Sequence, residues 1–326
     1  MRFGKVDLSA YPALETLTKA QLAVWPEHEG YLIKSYEGRS ERALVLSNEA
    51  SEVVITLAKL EADGLRQLPL DYRHVCEDMI LDSEIHFRRT GEYPLSNFEE
   101  AARIVYSDAA LMHRYMNGLL LSNVFWMNHA NALECYVDDF LPNTLLNGRH
   151  LEVGPGHGLL LYFAAKSGRS VTITGWDISS SSLDSTRRCL EQLGVGLQVD
   201  LVCTDVLATA GTNARFDSIV LGEVLEHLED PIRVLKNLRD CLDPGGLIWV
   251  NMPVNSPAPD HIYLIREPEG VVRLVEESGF VVEKYRFFPM TGYSEERARK
   301  TKATINVGVI ARRPSNGRVQ NDVIRK

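Results

Sequence analysis

The sequence predicts an α/β protein: an open, mostly parallel sheet of seven strands behind a helical N-terminal region. Three features carry that expectation. The 326-residue chain changes character near position 148, from apolar residues at helical spacing to short β-rich runs. Those runs alternate with helical stretches, which implies parallel pairing through crossovers, and the last two are close enough to pair antiparallel. The first run ends in "GPGHG", three alternating glycines at a strand-to-helix junction.

In chain order, "LETLTKAQLAVW", "SEVVITLAKLEADGL", "NFEEAARIVYSDAALMHRYMNGLLLSNVFW" and "NHANALECYVDDFL" carry apolar residues at helical spacing, broken by "GEYPLS" and "LPNTLLNGR". Residues 1–110 are therefore read as a helical region acting as lid and substrate wall, and residues 111–326 as the sheet domain with its leading helix. Strands are expected in "RHLEVGP", "SVTITGWD", "LQVDLVCTD", "FDSIVLGE", "GLIWVNMP", "FVVEKYRFF" and "TINVGVIARR". In an open sheet of this Rossmann-like kind, the ligand lies beyond the carboxyl ends of the strands.

Composition narrows the function. An apolar fraction of 45% belongs to a packed globular chain. The longest apolar runs fall far short of the roughly 18 residues a membrane span needs, and the first residues lack the layout of a signal peptide. No membrane span and a cytoplasmic location are expected. Cys76, Cys135, Cys189, Cys203 and Cys241 form no CxxC pair, which argues against a disulfide framework or a thiolate metal site. A net charge of −9 disfavours nucleic acid as a partner, because affinity for it comes from neutralised phosphates. A small molecule is the expected substrate, and the oligomeric state stays open, a homodimer included.

Gly154, Gly156 and Gly158 permit a tight turn and a close backbone approach to a ligand. A dinucleotide fingerprint would need glycine where Leu159 stands, and the Gly-Lys-Ser/Thr of a phosphate-binding loop is absent. The next strand ends in Asp177, 23 residues after Gly154, where a carboxylate can accept both hydroxyls of a ribose. A third ends beside Asp205, whose oxygen can take the exocyclic amine of an adenine. Glu152, at the base of the loop, suits an ammonium and would repel a pyrophosphate. A ribose, an adenine and a cationic amino-acid end are the three parts of S-adenosyl-L-methionine.

With "LEVGPGHG", "GWD", "CTD", "FDSIVLGEVLEHLEDP", "LDPGG" and "NMPVNSPAPDHIYLIREPEGVVRLVEESGF" in that order, residues 148 to 312 resemble the class I S-adenosylmethionine-dependent methyltransferases. The resemblance implies that cofactor, with Glu152, Gly154, Gly156 and Gly158 on its methionine part, Asp177 on the ribose and Asp205 on the adenine. No such resemblance covers residues 1–110.

A second constellation follows the fourth strand. In "GEVLEHLEDP", a helix starting near Glu223 would bring Glu226 and His227 to its own face through offsets of three and four. Two acids and an imidazole there are metal-ligand chemistry, and the loop "NSPAPDHIY" brings Asp260 and His261 to the same rim. The pattern resembles the metal-dependent O-methyltransferases of the ubiquinone pathway and the small-RNA 2′-O-methyltransferases. It implies a divalent metal ion on Glu223, Glu226, His227 and His261, catalytic roles for His227 and His261, and an oxygen as methyl acceptor. The alternative is metal-free, with His261 as base for a nitrogen or carbon acceptor and the glutamates merely capping. The complete glycine loop with Asp177 argues against a silent scaffold. His157, between two loop glycines, is expected to face solvent, with contact to the cofactor carboxylate as the alternative. Trp126 and His129, one turn apart on a helix, are read as core, with pocket lining as the alternative. The run "SEERARKTK" is read as solvated.

Overall fold

The computed structural model describes residues 1–209 and 213–315. A short hairpin, Arg2–Phe3 with Val6–Asp7, precedes helices α1 (Pro12–Val24), α2 (Glu29–Glu37), α3 (Glu41–Leu57), α4 (Gln67–His74), α5 (Leu81–Thr90), α6 (Phe98–Ala101), α7 (Ala109–Phe125) and α8 (Met127–Glu134). Their starts follow local chemistry. Pro12 opens α1, Ser40 Oγ accepts from Ala43 N at the head of α3, and Asp108 Oδ1 accepts from Ala110 N and Leu111 N at the head of α7. A π-helical stretch, Val75–Ile80, joins α4 to α5. The 110/111 division thus falls inside the first turn of α7.

The seven strands are β1 (Gly148–Val153), β2 (Ser170–Asp177), β3 (Val199–Cys203), β4 (Phe216–Gly222), β5 (Leu242–Val254), β6 (Val281–Pro289) and β7 (Ile305–Arg312). They lie in the order β3-β2-β1-β4-β5-β7-β6. β1 to β5 pair in parallel, and β7 runs antiparallel to both β5 and β6. The crossovers carry α9 (Leu159–Ser167), α10 (Ser180–Gln192), α11 (Pro231–Cys241) and α12 (Pro268–Glu277), and α13 (Glu295–Thr301) leads into β7. The strand order reverses between β1 and β4, the place where a doubly wound sheet opens a crevice at its carboxyl edge.

Two apolar cores cover the faces of the sheet. On one, Leu161, Phe163, Ile173 and Trp249 join Leu14, Leu32 and Tyr36 of the N-terminal region, with Phe125 and Tyr136 of the helices that follow it, in a single cluster. Trp249 is 1% exposed, with its ring 5.2 Å from that of Tyr136. Burial of side chains this large contributes about 2–3 kcal/mol each, so the helices are fastened to the sheet rather than tethered beside it. On the other face, Leu151, Ile219, Leu221, Val234, Leu238 and Val271 pack together. The basic run folds as α13, whose Arg299 pairs with Glu269 through both outer nitrogens at 3.0 and 2.7 Å. Among the described residues, no helix is long and apolar enough to cross a membrane. The five cysteines are free.

Candidate functional site

The glycine loop closes at the end of β1. Gly154 N donates to Trp176 O at 2.8 Å, and Gly158 N donates to Pro155 O at 2.7 Å. Gly158, at φ +75°, caps α9, while Gly156, at φ +53°, faces α7, where Met116 Cε lies 3.2 Å from the place of a Cβ. Thr186 Oγ1 of α10 donates to Gly156 O at 2.6 Å and steadies the turn. Glu152 is 3% exposed, and its Oε2 has no hydrogen-bond partner. Burial pushes its carboxyl well above the usual range. An orphaned buried carboxylate oxygen beside a bare backbone turn suits the ammonium end of the cofactor inferred from the sequence.

Asp177 ends β2 and Asp205 follows β3, on strands successively adjacent to β1. Asp177 Oδ1 accepts from Ser179 N at 2.8 Å and Oδ2 from Ser182 Oγ at 3.0 Å, so each oxygen keeps acceptor capacity for a ligand hydroxyl. Burial raises its carboxyl despite those bonds. Asp205 Oδ1 accepts from Leu207 N at 2.8 Å in a local turn. His157 departs from expectation. It is half-buried, and burial, followed by the nearby His113, lowers its imidazole to about 4. Helix α7, with His113 near the imidazole and Met116 near Gly156, stands over a turn that the loop alone would leave to solvent.

The segment after β4 also departs from expectation. Glu223 takes φ +56°, the left-handed region, and only a single 3₁₀ turn, Leu225–His227, follows before α11 begins at Pro231. The helical offsets of three and four therefore do not apply, and Glu223 stands outside the group that forms. That group is Glu226, His227 and His261, each offering one ligand atom, all within 4.8 Å of one another. Glu226 is fully buried, and neither carboxylate oxygen has a hydrogen-bond partner. Its Oε1 lies 4.0 Å from the Nε2 of each histidine.

Both rings are oriented from behind. His227 Nδ1 lies 3.1 Å from Asp260 O, and His261 Nδ1 lies 2.6 Å from Ser256 O. A carbonyl only accepts, so both Nδ1 atoms carry the proton and both Nε2 lone pairs turn toward Glu226. The loop that bears His261 is itself clamped. Ile262 N and Tyr263 N donate to Glu226 O at 2.9 Å each, Ser256 N donates to Tyr93 OH at 3.0 Å, and Tyr115 OH donates to Asp260 Oδ1 at 2.7 Å. Burial, then His227, lowers His261 to about 4, and burial, then Glu223, pushes Glu226 well above the carboxylate range. Two imidazoles with their Nε2 atoms on one side and a buried carboxyl whose oxygens have no partner form a donor set for a divalent cation. Spacings of 4.0 Å are about twice the usual metal–ligand distance of roughly 2.0–2.2 Å.

Glu223 is held elsewhere. Its Oε1 accepts from Asn251 Nδ2 at 2.6 Å and Asn306 Nδ2 at 2.7 Å, and its Oε2 lies 3.9 Å from His129 Nε2. Burial raises its carboxyl to about 8, against the opposing bond from Asn306. Trp126 sits at the break between α7 and α8 in extended backbone, not on a shared helix with His129. The two rings still meet, with centroids 4.8 Å apart and planes at 65°. Asn306, Tyr93 and Tyr115 belong to no motif, and nothing local in the sequence marks them, whereas Asn251 opens the stretch "NMPVNSPAPDHIYLIREPEGVVRLVEESGF" without being singled out there.

Comparison with known proteins decides the family of the sheet domain. Residues 151–248 match the family described as a methyltransferase domain. The chain carries a class I S-adenosylmethionine-dependent methyltransferase domain. Curated relatives include the ubiquinone biosynthesis O-methyltransferase of Coxiella burnetii (strain Dugway 5J108-111), 35% identical over 131 residues, covering 40% of this chain and 54% of that protein. The protein of the same name from Dinoroseobacter shibae is 35% identical over 116 residues, covering 36% of this chain and 45% of that one. The chain therefore spans about half the length of these relatives. Among solved structures, the apo form of the S-adenosylmethionine-dependent methyltransferase SibL superposes with a TM-score of 0.53 over 94% of this chain and all of that one, at 14% identity. That likeness shows the fold.

Proposed function

We propose that the protein transfers the methyl group of S-adenosylmethionine to an oxygen of a small molecule, with a divalent metal ion held by Glu226, His227 and His261. The single observation behind this reading is the trio itself: two Nε2 lone pairs, each 4.0 Å from a carboxylate oxygen that is buried without a partner. The name of the curated relatives, O-methyltransferases of ubiquinone biosynthesis, favours the same acceptor atom.

In this reading, Glu152 takes the ammonium of the cofactor, the loop at Gly154, Gly156 and Gly158 lets the methionine part approach the backbone, Asp177 orients the ribose and Asp205 the adenine amine. A bound divalent ion supplies positive charge beside the acceptor hydroxyl and lowers its pKa. Asp260 O and Ser256 O fix the two imidazoles in the ligating tautomer. Residues 1–110 wall the acceptor pocket through Tyr93, and α7 adds Tyr115, so that the reacting atoms are kept from bulk water. The metal-free alternative would use His261 as general base. An imidazole lowered to about 4 with its Nδ1 proton committed to Ser256 O is a weak base for that task.

Chelation tests the reading. Exhaustively chelated protein is expected to keep its affinity for S-adenosylhomocysteine but to lose methyl transfer to a panel of phenolic acceptors. Added Mn²⁺ or Zn²⁺, the borderline ions that a mixed carboxylate and imidazole set prefers, should restore it. Glu226→Ala should abolish the calorimetric signal of Mn²⁺ binding. Full activity after chelation, with no metal by elemental analysis, would discard the ion.

A further inference from the structure

Glu223 has been left without a role by the trio, yet the fold spends unusual effort on placing it. Its backbone occupies the left-handed region, where a side chain of this kind costs about 1 kcal/mol or more. Glu223 N donates to Asn251 O at 2.9 Å and holds that conformation, while Asn251 and Asn306 both donate to Oε1. Asn306 is fixed in turn by Asn128 Nδ2, which donates to its Oδ1 at 2.7 Å. The remaining oxygen, Oε2, is aimed at His129.

The state of His129 follows from a chain of donors. Ser122 Oγ donates to Leu119 O at 2.7 Å, so it can only accept from His129 Nδ1, 3.0 Å away. Nδ1 therefore bears the proton, and Nε2 presents a lone pair toward Glu223 Oε2. The 3.9 Å between those atoms is too long for a hydrogen bond, and neither atom has a hydrogen-bond partner among the described residues. The His129 side chain is 10% exposed and that of Glu223 32% exposed, so neither side chain is sealed from solvent. Trp126, edge-on to His129, supplies an aromatic wall beside them.

We infer that Glu223 Oε2 and His129 Nε2 form an acceptor pair that selects a substrate carrying a hydroxyl or amino hydrogen-bond donor separate from the atom that is methylated. The inference rests on the methyl-transfer reading. Two acceptors converging on a gap reject an isostere that lacks the donor, because the acceptors are then left unpaired in a desolvated pocket. A donor there also offsets the burial that otherwise disfavours the charged carboxylate. The trio and the pair thus divide the substrate between them, the trio beside the acceptor atom and the pair on a second protic group.

The test uses the full chain saturated with S-adenosylhomocysteine and NMR titration with 2-, 3- and 4-aminophenol against 2-, 3- and 4-methylphenol, in which an amino group is exchanged for a methyl of similar size. At least one aminophenol is expected to bind tenfold or more tightly than its methyl counterpart. Glu223→Gln, which turns an N–H donor toward His129 while still accepting from Asn251 and Asn306, and His129→Phe, which removes the lone pair, should each erase the preference and leave affinity for S-adenosylhomocysteine unchanged. Equal binding within every isomer pair, or a preference that survives both substitutions, would overturn the inference. Failure of the wild type to bind S-adenosylhomocysteine would overturn the methyl-transfer reading and this one with it.

Discussion

Replacing Gly156 and Gly158 by alanine, one at a time, separates what the loop does for the fold from what it does for a ligand. Both residues have positive φ, +53° and +75°, so an added Cβ costs each roughly 1–2 kcal/mol of backbone strain. Their surroundings differ. At 158 the Cβ would stand 2.8 Å from Leu190 Cδ2 and 3.1 Å from Leu190 Cγ, inside the seam between α9 and α10, and overpacking of that kind adds about 1–3 kcal/mol. At 156 the nearest atom is Met116 Cε at 3.2 Å, the end of a flexible side chain that can yield a few tenths of an ångström. Gly158→Ala is therefore expected to cost about 2–5 kcal/mol of stability and Gly156→Ala about 1–2. The order reverses for the ligand. A methyl group at 156 stands between the turn and α7, where the methionine part of the cofactor is proposed to approach the backbone, so the affinity for S-adenosylhomocysteine should fall at least tenfold there and stay near wild type in folded Gly158→Ala. Denaturant unfolding and calorimetric titration read the two quantities. Equal stability losses, or wild-type affinity in Gly156→Ala, would refute the reasoning.

Three further outcomes follow from single sites. Asp177→Ala should weaken S-adenosylhomocysteine binding by about 1.5–3 kcal/mol, the range for hydrogen bonds to a charged group, and unchanged calorimetric affinity would remove the ribose assignment. His28, 6% exposed and stacked between Trp25 and Tyr31 with centroids 4.4 and 4.8 Å away, is lowered by burial from 6.5 to about 4. The unfolded chain takes up that proton first, so the contribution of His28 is level above about pH 6.5 and declines as pH falls toward about 4, by up to about 3 kcal/mol. His28→Phe should flatten that part of the stability profile, and parallel profiles for variant and wild type would contradict it. Arg39 is 8% exposed, sits over the Tyr36 ring at 5.0 Å and, among the described residues, its guanidinium bonds only to hydroxyls, Ser47 Oγ at 2.6 Å and Ser35 Oγ at 2.7 Å, with its Nε unpartnered. Both serines also donate to carbonyls, Phe125 O and Ala43 O, and remain satisfied without it. Arg39→Met should change stability by less than about 1 kcal/mol or raise it, and a loss of several kcal/mol in denaturant unfolding would show that the cation is needed.

The parts of the site legible in the sequence are those that a parallel sheet assembles by rule. Asp177 and Asp205 could be placed beside the glycine loop because consecutive parallel strands deliver their carboxyl ends to one edge. Glu226, His227 and His261 could be grouped because one follows β4 and the other follows β5, its neighbour. What escaped was set by tertiary contacts. Glu223 gives up the helical conformation because its N–H is taken by Asn251 O, inside β5 and 28 residues later. Asn306 meets the same carboxylate only because β7 inserts antiparallel beside β5, bringing Asn306 opposite Pro253. His157 is enclosed by helices whose packing no periodicity announces, and Trp126 breaks a run that reads as continuous helix.

The distribution of these contacts along the chain bears on what this protein shares with its relatives. Every residue assigned to the cofactor, Glu152 through Asp205, lies within the matched span 151–248, together with Glu226 and His227. Most groups proposed to face the acceptor lie outside it: Tyr93, Tyr115, Trp126 and His129 before, and Asn251, Ser256, Asp260, His261 and Asn306 after, with Glu223 inside. The two regions share an apolar core, and at the site they are also joined by polar contacts such as Tyr115 OH to Asp260 Oδ1 and Ser256 N to Tyr93 OH, so side chains from both can face one ligand. The identity of the donor molecule follows from the matched span. In the proposed reading the acceptor is selected where the two regions meet, by His129 before the matched span and Glu223 within it, so experiments on selectivity belong at that pair before any residue of the glycine loop.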